Sequence, residues 1–241
     1  MMLAAWSLCR RDVVRFLRQR SRIIGVLGTP LIFWALIGSG FNYMGYLFPG
    51  TLVQILLFAS IFSTISIIQD RQTGFLQGVL VAPVSRTSIV LGKVLGGTAI
   101  AMTQGTIFLL LGPLVGIPFS PGGWAAALGV MALVAFGLTA LGVLLAWRFD
   151  SVQGFHAIMN LFLIPLWLLS GAVFPPDKAV SWVRVVMVAN PLTYGVDALR
   201  RVLGGPGVVG ASLGVSLGIS ALFSVGMFLL ATAFARRRQT S

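Results

Sequence analysis

The sequence offers few side chains that could carry out chemistry. The chain has one histidine, His156, one cysteine, Cys9, and five aspartates, and it lacks glutamate. A hydrolytic site needs a nucleophile beside a base, and a metal centre needs several ligands of these types close together. The candidates are too few and too scattered for either arrangement. We therefore predict that the chain is not an enzyme and holds no catalytic, metal or cofactor-binding residues of its own.

One short segment resembles a phosphate-binding loop, whose pattern is G-x-x-x-x-G-K-[ST]. Gly92 and Lys93 match its end, but Val94 follows them, and Thr87 stands where the first glycine belongs. We expect no nucleotide to bind by that motif. Ion-coupled carriers commonly hold ionisable groups within the membrane, and the apolar runs of this chain contain almost none. Any energy that the protein uses is therefore expected to come from another subunit.

The composition indicates an integral membrane protein. Of 241 residues, 57% are hydrophobic and 9% are charged, and the mean hydropathy is +0.98. A soluble domain carries about a quarter charged residues, so this chain cannot cover a core with a polar surface. The net charge is +12, but the cations lie at the ends of apolar runs and do not form a patch with interleaved aromatic residues. No nucleic-acid partner is predicted.

The apolar runs predict an all-α integral membrane fold. Six runs reach the roughly 20 residues that a helix needs to cross a bilayer. Lipid offers no hydrogen-bond partner to backbone N–H and C=O groups, so each run must be helical. The chain is expected to form a single domain over 1–241. The predicted spans are residues 23–41, 47–68, 94–113, 124–147, 155–174 and 208–234.

The distribution of Lys and Arg predicts the orientation of these spans. Thirteen cations lie before the first span, after the last span, or in the connections after the second and fourth spans. Four lie in the connection after the fifth span: Lys178, Arg184, Arg200 and Arg201. Because cytoplasmic loops are enriched in Lys and Arg, both termini are predicted to be cytoplasmic.

The basic segment before the first span has the periodicity of a helix. One face would hold Trp6, Cys9, Val13, Phe16 and Leu17, and another face would hold Arg11, Arg15, Arg18 and Arg22. Such a helix can lie in the membrane interface, with its arginines against anionic lipid or an acidic partner. The alternative is a basic flank that only sets the topology.

The connection of residues 69–93 is predicted to be a cytoplasmic loop with structure of its own. A short helix from about Asp70 to Leu80 would place Phe75 and Leu76 beside apolar residues one turn later, and Pro83 would end it. This helix would present an apolar surface between charged flanks. From the residues alone, an ordinary turn whose hydrophobic side chains lie on the membrane surface is as well supported as this helix.

Two further patterns concern packing and surface charge. Gly210, Gly214 and Gly218 recur every four residues in the last predicted span. Small residues permit close helix packing, within the subunit or across a dimer, although such patterns are common in membrane helices. Asp197 precedes Arg200 and Arg201 by three and four residues, the spacing of a solvated ion pair on a helix surface.

Several segments together resemble the type-2 permeases of ATP-binding cassette (ABC) transporters. Asp-Arg-Gln-Thr-Gly at 70–74 is followed by Leu-Val-Ala-Pro-Val-Ser-Arg at 80–86 and Leu-Gly-Lys at 91–93. Later come Asn-Pro-Leu-Thr-Tyr at 190–194 and Asp-Ala-Leu-Arg at 197–200. The family pattern usually reads Asp-Arg-Glu, so Gln72 is a departure from it.

The resemblance implies a drug-efflux-like permease subunit of an ABC exporter in a prokaryotic plasma membrane. It implies a dimer of this chain, or a heterodimer with a related permease, and two copies of an ATPase subunit that binds ATP and Mg²⁺. The implied cargo is hydrophobic, amphipathic or lipid-linked. A membrane scaffold that recruits a cytoplasmic partner without transport is the alternative.

The resemblance also implies two sets of site residues in this chain. The ATPase-coupling loop would comprise Asp70, Arg71, Gln72, Gly74, Phe75, Leu80, Pro83 and Arg86. Short external helices between the last two spans would cap the pathway through Asn190, Pro191, Tyr194, Asp197 and Arg200.

Overall fold

A computed structural model describes residues 2–18, 20–41, 43–81, 84–117, 120–205 and 207–237. Within these residues the chain is helical and contains no strand, as predicted. The helices are α1 Met2–Leu17, α2 Arg20–Gly40, α3 Met44–Ser63, α4 Ile65–Gln72, α5 Phe75–Val81, α6 Arg86–Leu109, α7 Pro121–Ala146, α8 Val152–Trp167, α9 Ser181–Ala189, α10 Pro191–Val202 and α11 Leu213–Arg237. A π-helical turn, Leu168–Ala172, follows α8 directly.

Four helical stretches among the described residues are long and apolar enough to cross a membrane. They are Met44–Gln72, Pro121–Ala146, Val152–Ala172 and Leu213–Arg236. The apolar part of α2 is shorter, Leu27–Gly40. Helix α6 is also long enough to cross a membrane, but Lys93, Gln104 and many small residues lower its mean hydropathy. The structure thus confirms a multi-helix membrane protein, whereas the count of six spans stays a prediction.

Helix α3 forms the centre of the bundle. In the most apolar part of Met44–Gln72, 83% of the residues are buried inside the protein, compared with 17% for Leu213–Arg236. Helices α6 and α7 pack on α3, and α11 packs on α7. Because α3 meets protein on most sides, its sequence is apolar all round instead of showing one apolar stripe.

Glycines on α6 allow its neighbours to approach closely. A Cβ atom at Gly97 would lie 2.3 Å from Ser63 Oγ and 2.4 Å from Thr139 Cγ2. A Cβ atom at Gly92 would lie 2.7 Å from the carbonyl oxygen of Ala5 in α1. A larger residue at either position would push a neighbouring helix away from α6.

Polar caps fix where four of the helices begin. Ser85, Ser120, Ser151 and Asn190 precede α6, α7, α8 and α10, and each side-chain oxygen accepts a backbone N–H from two or three residues further on. A cap of this kind satisfies an amide that has no partner within its helix. The short connections between the helices therefore have defined ends.

The bundle has two ends, which we name after buried aspartates. The Asp70 end contains α1, α4, α5, the start of α6 and the turn between α7 and α8. The Asp197 end contains the π-helical turn, α9, α10 and the starts of α3 and α11. The contacts that define each end are given below.

Three helices differ in extent from the predicted segments. Helix α6 begins at Arg86 instead of 94, so that Lys93 lies inside the helix. Helix α11 begins at Leu213 instead of 208, because the chain turns at Gly210, where φ is +67°. The single helix predicted from Asp70 to Leu80 is divided by a corner at Gly74.

The apolar residues of α1 lie on two different sides of the helix. Cys9 and Phe16 are buried within the protein, whereas Trp6 and Leu17 are exposed. Asp12 lies on the buried side. The reason is that α1 packs along α6 with Ala5, Leu8 and Cys9, and this contact selects a different stripe from the one that an isolated amphipathic helix would use.

Candidate functional site

A buried group of charges joins three helices at the Asp70 end. Lys93 Nζ in α6 lies 2.7 Å from Asp70 Oδ2 in α4 and 2.9 Å from Asp12 Oδ2 in α1. It also donates a hydrogen bond to Ser66 Oγ at 3.2 Å. These three acceptors match the three N–H donors of a lysine ammonium group, so Nζ is buried with a full set of partners.

Two arginines of α1 complete this group. Arg11 Nη2 lies 3.1 Å from Asp12 Oδ1 and also pairs with Asp70. Arg15 Nη1 lies 3.5 Å from Asp70 Oδ1. We call Asp12, Asp70, Lys93, Arg11 and Arg15 the Asp70 cluster. Asp70 is only 2% exposed, and its three cationic partners fix α4 to α1 and α6.

Helices α4 and α5 meet in a sharp corner at Gly74. Its φ is +75°, and no atom lies within 4 Å of the place where a Cβ would be. Only the backbone conformation therefore demands glycine here. Thr73 closes α4, because its Oγ1 donates to the carbonyl oxygen of Gln69 at 3.0 Å. We call residues 70–81 the α4–α5 corner.

A second set of bonds holds the corner on its other side. Arg71 Nη1 lies 2.7 Å from Asp150 Oδ1, and Arg71 Nη2 donates to the carbonyl oxygen of Trp147 at 3.1 Å. Gln72 Nε2 donates to the carbonyl oxygen of Asp150 at 2.8 Å. A carboxylate at position 72 could not donate this bond, so the departure from Asp-Arg-Glu suits the turn between α7 and α8.

The corner presents an aromatic residue outward. Phe75 is 41% exposed, while its neighbour Leu76 is buried and anchors α5. The guanidinium carbon of Arg11 lies 3.9 Å from the centroid of the Phe75 ring, a cation–π contact that orients the ring. Val81 is exposed at the far end of α5. The Asp70 cluster thus positions a short helix with an apolar outer surface.

The structure distributes the predicted coupling residues over two roles. Asp70, Arg71 and Gln72 bind other parts of the chain, whereas Gly74 and Phe75 are exposed. Leu80 belongs to α5 and Arg86 begins α6. Pro83 lies outside the described residues.

We expect Gly74→Ala to lower the free energy of unfolding by about 1 kcal/mol, because alanine disfavours a positive φ. Gly74→Asn should cost less, since asparagine tolerates this conformation better than alanine does. Thermal unfolding of the purified protein in detergent would measure both. Identical midpoints for the wild type and both variants would contradict the left-handed corner.

Neither Asp12 nor Lys93 is among the site residues predicted from the sequence. Both carry a signal that could have been used. Asp12 is the one carboxylate in a segment with six arginines, and Lys93 stands alone at the start of an apolar run. An isolated charge in such surroundings is costly unless it has a partner.

A second buried carboxylate organises the Asp197 end. Asp197 is fully buried. Its Oδ2 lies 2.9 Å from Arg201 Nε and accepts a hydrogen bond from Ser216 Oγ at 2.6 Å. Its Oδ1 accepts the backbone N–H groups of Val208 and Val209. We call this set the Asp197 cluster, and it fixes α10 to the start of α11.

The predicted solvated ion pair at this end is wrong. Asp197 is buried, and it pairs with Arg201 but not with Arg200. Arg200 instead donates to the carbonyl oxygens of Tyr46 and Gly171 at 3.3 and 3.2 Å, and its guanidinium carbon lies 3.8 Å from the Tyr46 ring centroid. Packing of α10 against α3 and the π-helical turn buries both side chains.

Ser216→Ala should cost about 1.5 kcal/mol of folding stability, because it removes a hydrogen bond to a charged group. Ser220→Ala is the matched control on the same helix. Ser220 is also buried, and its hydroxyl has no hydrogen-bond partner within the described part of the chain, so its loss should be close to neutral. Equal losses in the two variants would contradict the assigned role of Ser216.

The cost of Ser216→Ala should depend on pH. Burial raises the pKa of Asp197, but hydrogen bonds from Ser216, Arg201, Val208 and Val209 outweigh burial and leave the pKa below its usual value of 3.8. The ionised carboxylate therefore contributes stability above that pH, and the contribution is lost as the pH falls through the lower folded-state pKa. We expect the difference in unfolding midpoint between wild type and Ser216→Ala to be constant from neutral pH to about 4 and to shrink only below it.

The other predicted residues of this end have structural partners. Asn190 Nδ2 donates to the carbonyl oxygens of Leu166 and Leu169 at 2.7 and 3.0 Å, next to the π-helical turn. Pro191 is the first residue of α10. Tyr194 Oη donates to the carbonyl oxygen of Val188 at 3.0 Å. These bonds bind α9 and α10 to the end of α8.

The predicted glycine series does not pack within the subunit. Gly214 and Gly218 are exposed, and Gly210 precedes α11. The buried side of α11 carries Ser216, Ser220 and Ser224. Ser224 Oγ donates to the carbonyl oxygen of Leu133 in α7 at 2.9 Å, so the serine series provides the close packing on α7.

Comparison with known proteins adds a family match and several similar chains. Residues 4–203 match the family described as ABC-2 type transporter. The putative transport permease ycf38 of Cyanophora paradoxa is 28% identical over 207 residues, which cover 80% of this chain and 71% of the relative. Nodulation protein J of Rhizobium leguminosarum bv. viciae is 25% identical over 252 residues, which cover 98% and 94%.

A third similar protein is named for drug resistance. The daunorubicin resistance ABC transporter permease protein DrrB1 of Streptomyces coeruleorubidus is 26% identical over 233 residues, which cover 89% of this chain and 81% of the relative. The family match includes the whole Asp70 cluster, the α4–α5 corner and Asp197.

Proposed function

The chain belongs to the ABC-2 type transporter family, and we propose that it is the transmembrane permease subunit of an ABC exporter. ABC-2 permeases work with an ABC ATPase subunit. In our proposal the ATPase binds and hydrolyses ATP with Mg²⁺ on its own polypeptide and docks on the α4–α5 corner of this chain. The permease itself would then contribute no catalytic group.

The exposed Phe75 on a rigidly held corner is the observation that carries this proposal. A docking element that transmits force must be exposed at its tip and fixed at its base. Phe75 meets the first condition, and the buried Asp70 cluster and the Arg71–Asp150 pair meet the second. An aromatic anchor surrounded by weaker contacts is also the usual source of binding energy at protein interfaces.

The proposed topology has six spans with both termini in the cytoplasm. The spans would be α2, α3 continued by α4, α6, α7, α8 and α11, and α1 would lie in the cytoplasmic interface. The Asp70 end, with most of the cations, would face the cytoplasm of a prokaryotic cell. Helices α9 and α10 at the Asp197 end would then form the external cap of the pathway.

The proposed assembly has two permease chains and two ATPase subunits. The second permease would be a copy of this chain or a related one, and the exposed Gly214 and Gly218 offer a face on which another helix could pack closely. We propose a hydrophobic, amphipathic or lipid-linked cargo. The similarity to a permease named for daunorubicin resistance and the scarcity of charge in the spans support such a cargo.

Co-purification tests the proposal. The tagged chain, purified from its own cells in mild detergent, should retain an ABC ATPase subunit, and that ATPase should hydrolyse ATP faster with the chain than without it. If no ATPase is retained and the rate does not respond, the permease assignment fails and the scaffold alternative gains support.

A further inference from the structure

The outward face of α1 is both apolar and basic. The exposed residues along it are Leu3, Trp6, Arg10, Val14, Leu17 and Arg18. Leu3 is 84% exposed and Trp6 is 65% exposed. The one carboxylate of α1, Asp12, lies on the opposite face in the Asp70 cluster. An exposed apolar surface of this size indicates a face of the protein that another molecule covers.

A shallow, open groove of about 640 Å³, lined by side chains of α1 and the adjoining Arg18 alone, runs along this face. Its lining includes Trp6, Val14 and four arginines, Arg10, Arg11, Arg15 and Arg18. No carboxylate in the described part of the chain pairs with Arg10 or Arg18, and the Asp70 cluster itself holds three cations against two carboxylates. The groove therefore carries an excess of positive charge beside an exposed indole ring.

We propose that this groove binds the headgroup of an anionic phospholipid from the adjoining leaflet. Arginine guanidinium groups pair with phosphate in a bidentate geometry, and tryptophan favours headgroup depth. The inference rests on the proposed function in one respect: it takes the Asp70 end to lie at a membrane surface.

The arrangement of residues favours a lipid over an acidic protein. Apolar and basic side chains alternate along one stripe of α1, so that the ligand must offer negative charge and hydrocarbon within a few ångströms. A phospholipid offers both, and interfacial helices of this composition bind anionic lipid. Helix α2 follows α1 and begins at Arg20, and the apolar part of α2 begins at Leu27. This connection keeps the end of α1 close to the bilayer.

The same groove borders the proposed docking site of the ATPase. A second groove, of about 480 Å³, runs past Leu8, Phe75, Val79 and Val84, and Arg11 lines both grooves. A lipid phosphate beside Arg11 and Arg15 would balance the extra positive charge of the Asp70 cluster. Anionic lipid should therefore stabilise the α4–α5 corner as well as α1.

Quenching of Trp6 by brominated lipid tests this site without ATP or an ATPase. The full chain is reconstituted in vesicles of phosphatidylcholine with roughly one third phosphatidylglycerol, with bromine on the acyl chains of one lipid or the other. The signal of Trp6 is the difference between wild type and Trp6→Phe, which removes one of six tryptophans. Quenching per brominated phosphatidylglycerol should exceed quenching per brominated phosphatidylcholine by about threefold or more, since each basic residue favours an anionic surface.

Two double variants make the assay specific. Arg10→Gln/Arg18→Gln should bring the ratio close to one, and Arg148→Gln/Lys178→Gln, which removes two exposed cations elsewhere, should leave it unchanged. A ratio of one in the wild type overturns the proposal. If the wild type shows no lipid preference and Arg10→Gln/Arg18→Gln loses the ATPase, the proposal is also overturned. That outcome would make α1 a protein-docking surface. Failure of the permease assignment would leave the lipid ratio intact.

Discussion

Asp70→Asn will lower the free energy of unfolding by about 3 kcal/mol, the typical result of breaking a buried ion pair from one side. The substitution keeps the shape of the side chain but leaves Lys93, Arg11 and Arg15 with Asp12 as their only carboxylate in the cluster. For a chain of this size, the unfolding midpoint should fall by roughly 6–12 °C. Because the cluster fixes the α4–α5 corner, the stimulation of the ATPase by the chain should be lost as well.

Asp150→Asn is the matched control for this prediction. It removes a carboxylate at the same end of the bundle, but Asp150 is 83% exposed in its pair with Arg71, and an exposed pair contributes less than about 1 kcal/mol. The double variant Asp70→Asn/Lys93→Met should be more stable than Asp70→Asn alone, because it also removes one of the three cations that would otherwise share the single carboxylate of Asp12. Equal effects of Asp70→Asn and Asp150→Asn on the midpoint would refute the buried cluster.

Phe75→Ala will separate coupling from stability. Loss of an aromatic anchor typically costs an interface 2 kcal/mol or more, so the stimulation of the ATPase should fall by at least about tenfold. The folded permease should lose only about 1 kcal/mol, because Phe75 is half exposed and its main described partner is the Arg11 guanidinium. The two quantities are measured on the same preparation, as ATP hydrolysis of the complex and as thermal unfolding of the permease alone.

Phe41→Ala provides the comparison for Phe75→Ala. Phe41 is an exposed phenylalanine at the Asp197 end, on the side that the proposed topology places outside the cell. Its removal should leave the ATPase rate within about twofold of wild type, since the proposed topology places the side chain far from any cytoplasmic subunit. If Phe41→Ala and Phe75→Ala reduce the rate equally, the corner has no special part in coupling.

The helices were the most predictable part of this protein. Long apolar runs can satisfy their backbone only as helices in lipid, so each predicted span overlaps a helix. The helix ends that differ from the predicted segments lie where tertiary contacts override periodicity. Helix α6 continues outward to Arg86 because α1 packs on Gly92 and because Lys93 finds two carboxylates. These partners lie 81 and 23 residues away in sequence, and no local pattern connects them.

The sequence predicts which segments contain the candidate site residues, but not the role of each residue. The motif at 70–86 includes the α4–α5 corner, but the sequence does not say that Asp70 and Arg71 bind this chain while Phe75 is exposed. Gly74 stands between a polar stretch, residues 69–73, and the apolar start of α5 at Phe75. A glycine within a continuous helix would give the same local signal. Asp197 was expected to be solvated because i,i+4 pairs usually are, and its burial follows from the packing of α10 on α11.

Photo-crosslinking from the corner tests the central claim most directly. Phe75→p-benzoyl-phenylalanine, in the full chain co-expressed in native membranes with the ATPase that co-purifies with it, should crosslink to that ATPase on illumination, whereas Phe41→p-benzoyl-phenylalanine should not. A crosslink to the ATPase from position 41 but not from position 75, or from neither position in a membrane where the two subunits co-purify, would contradict docking at the α4–α5 corner.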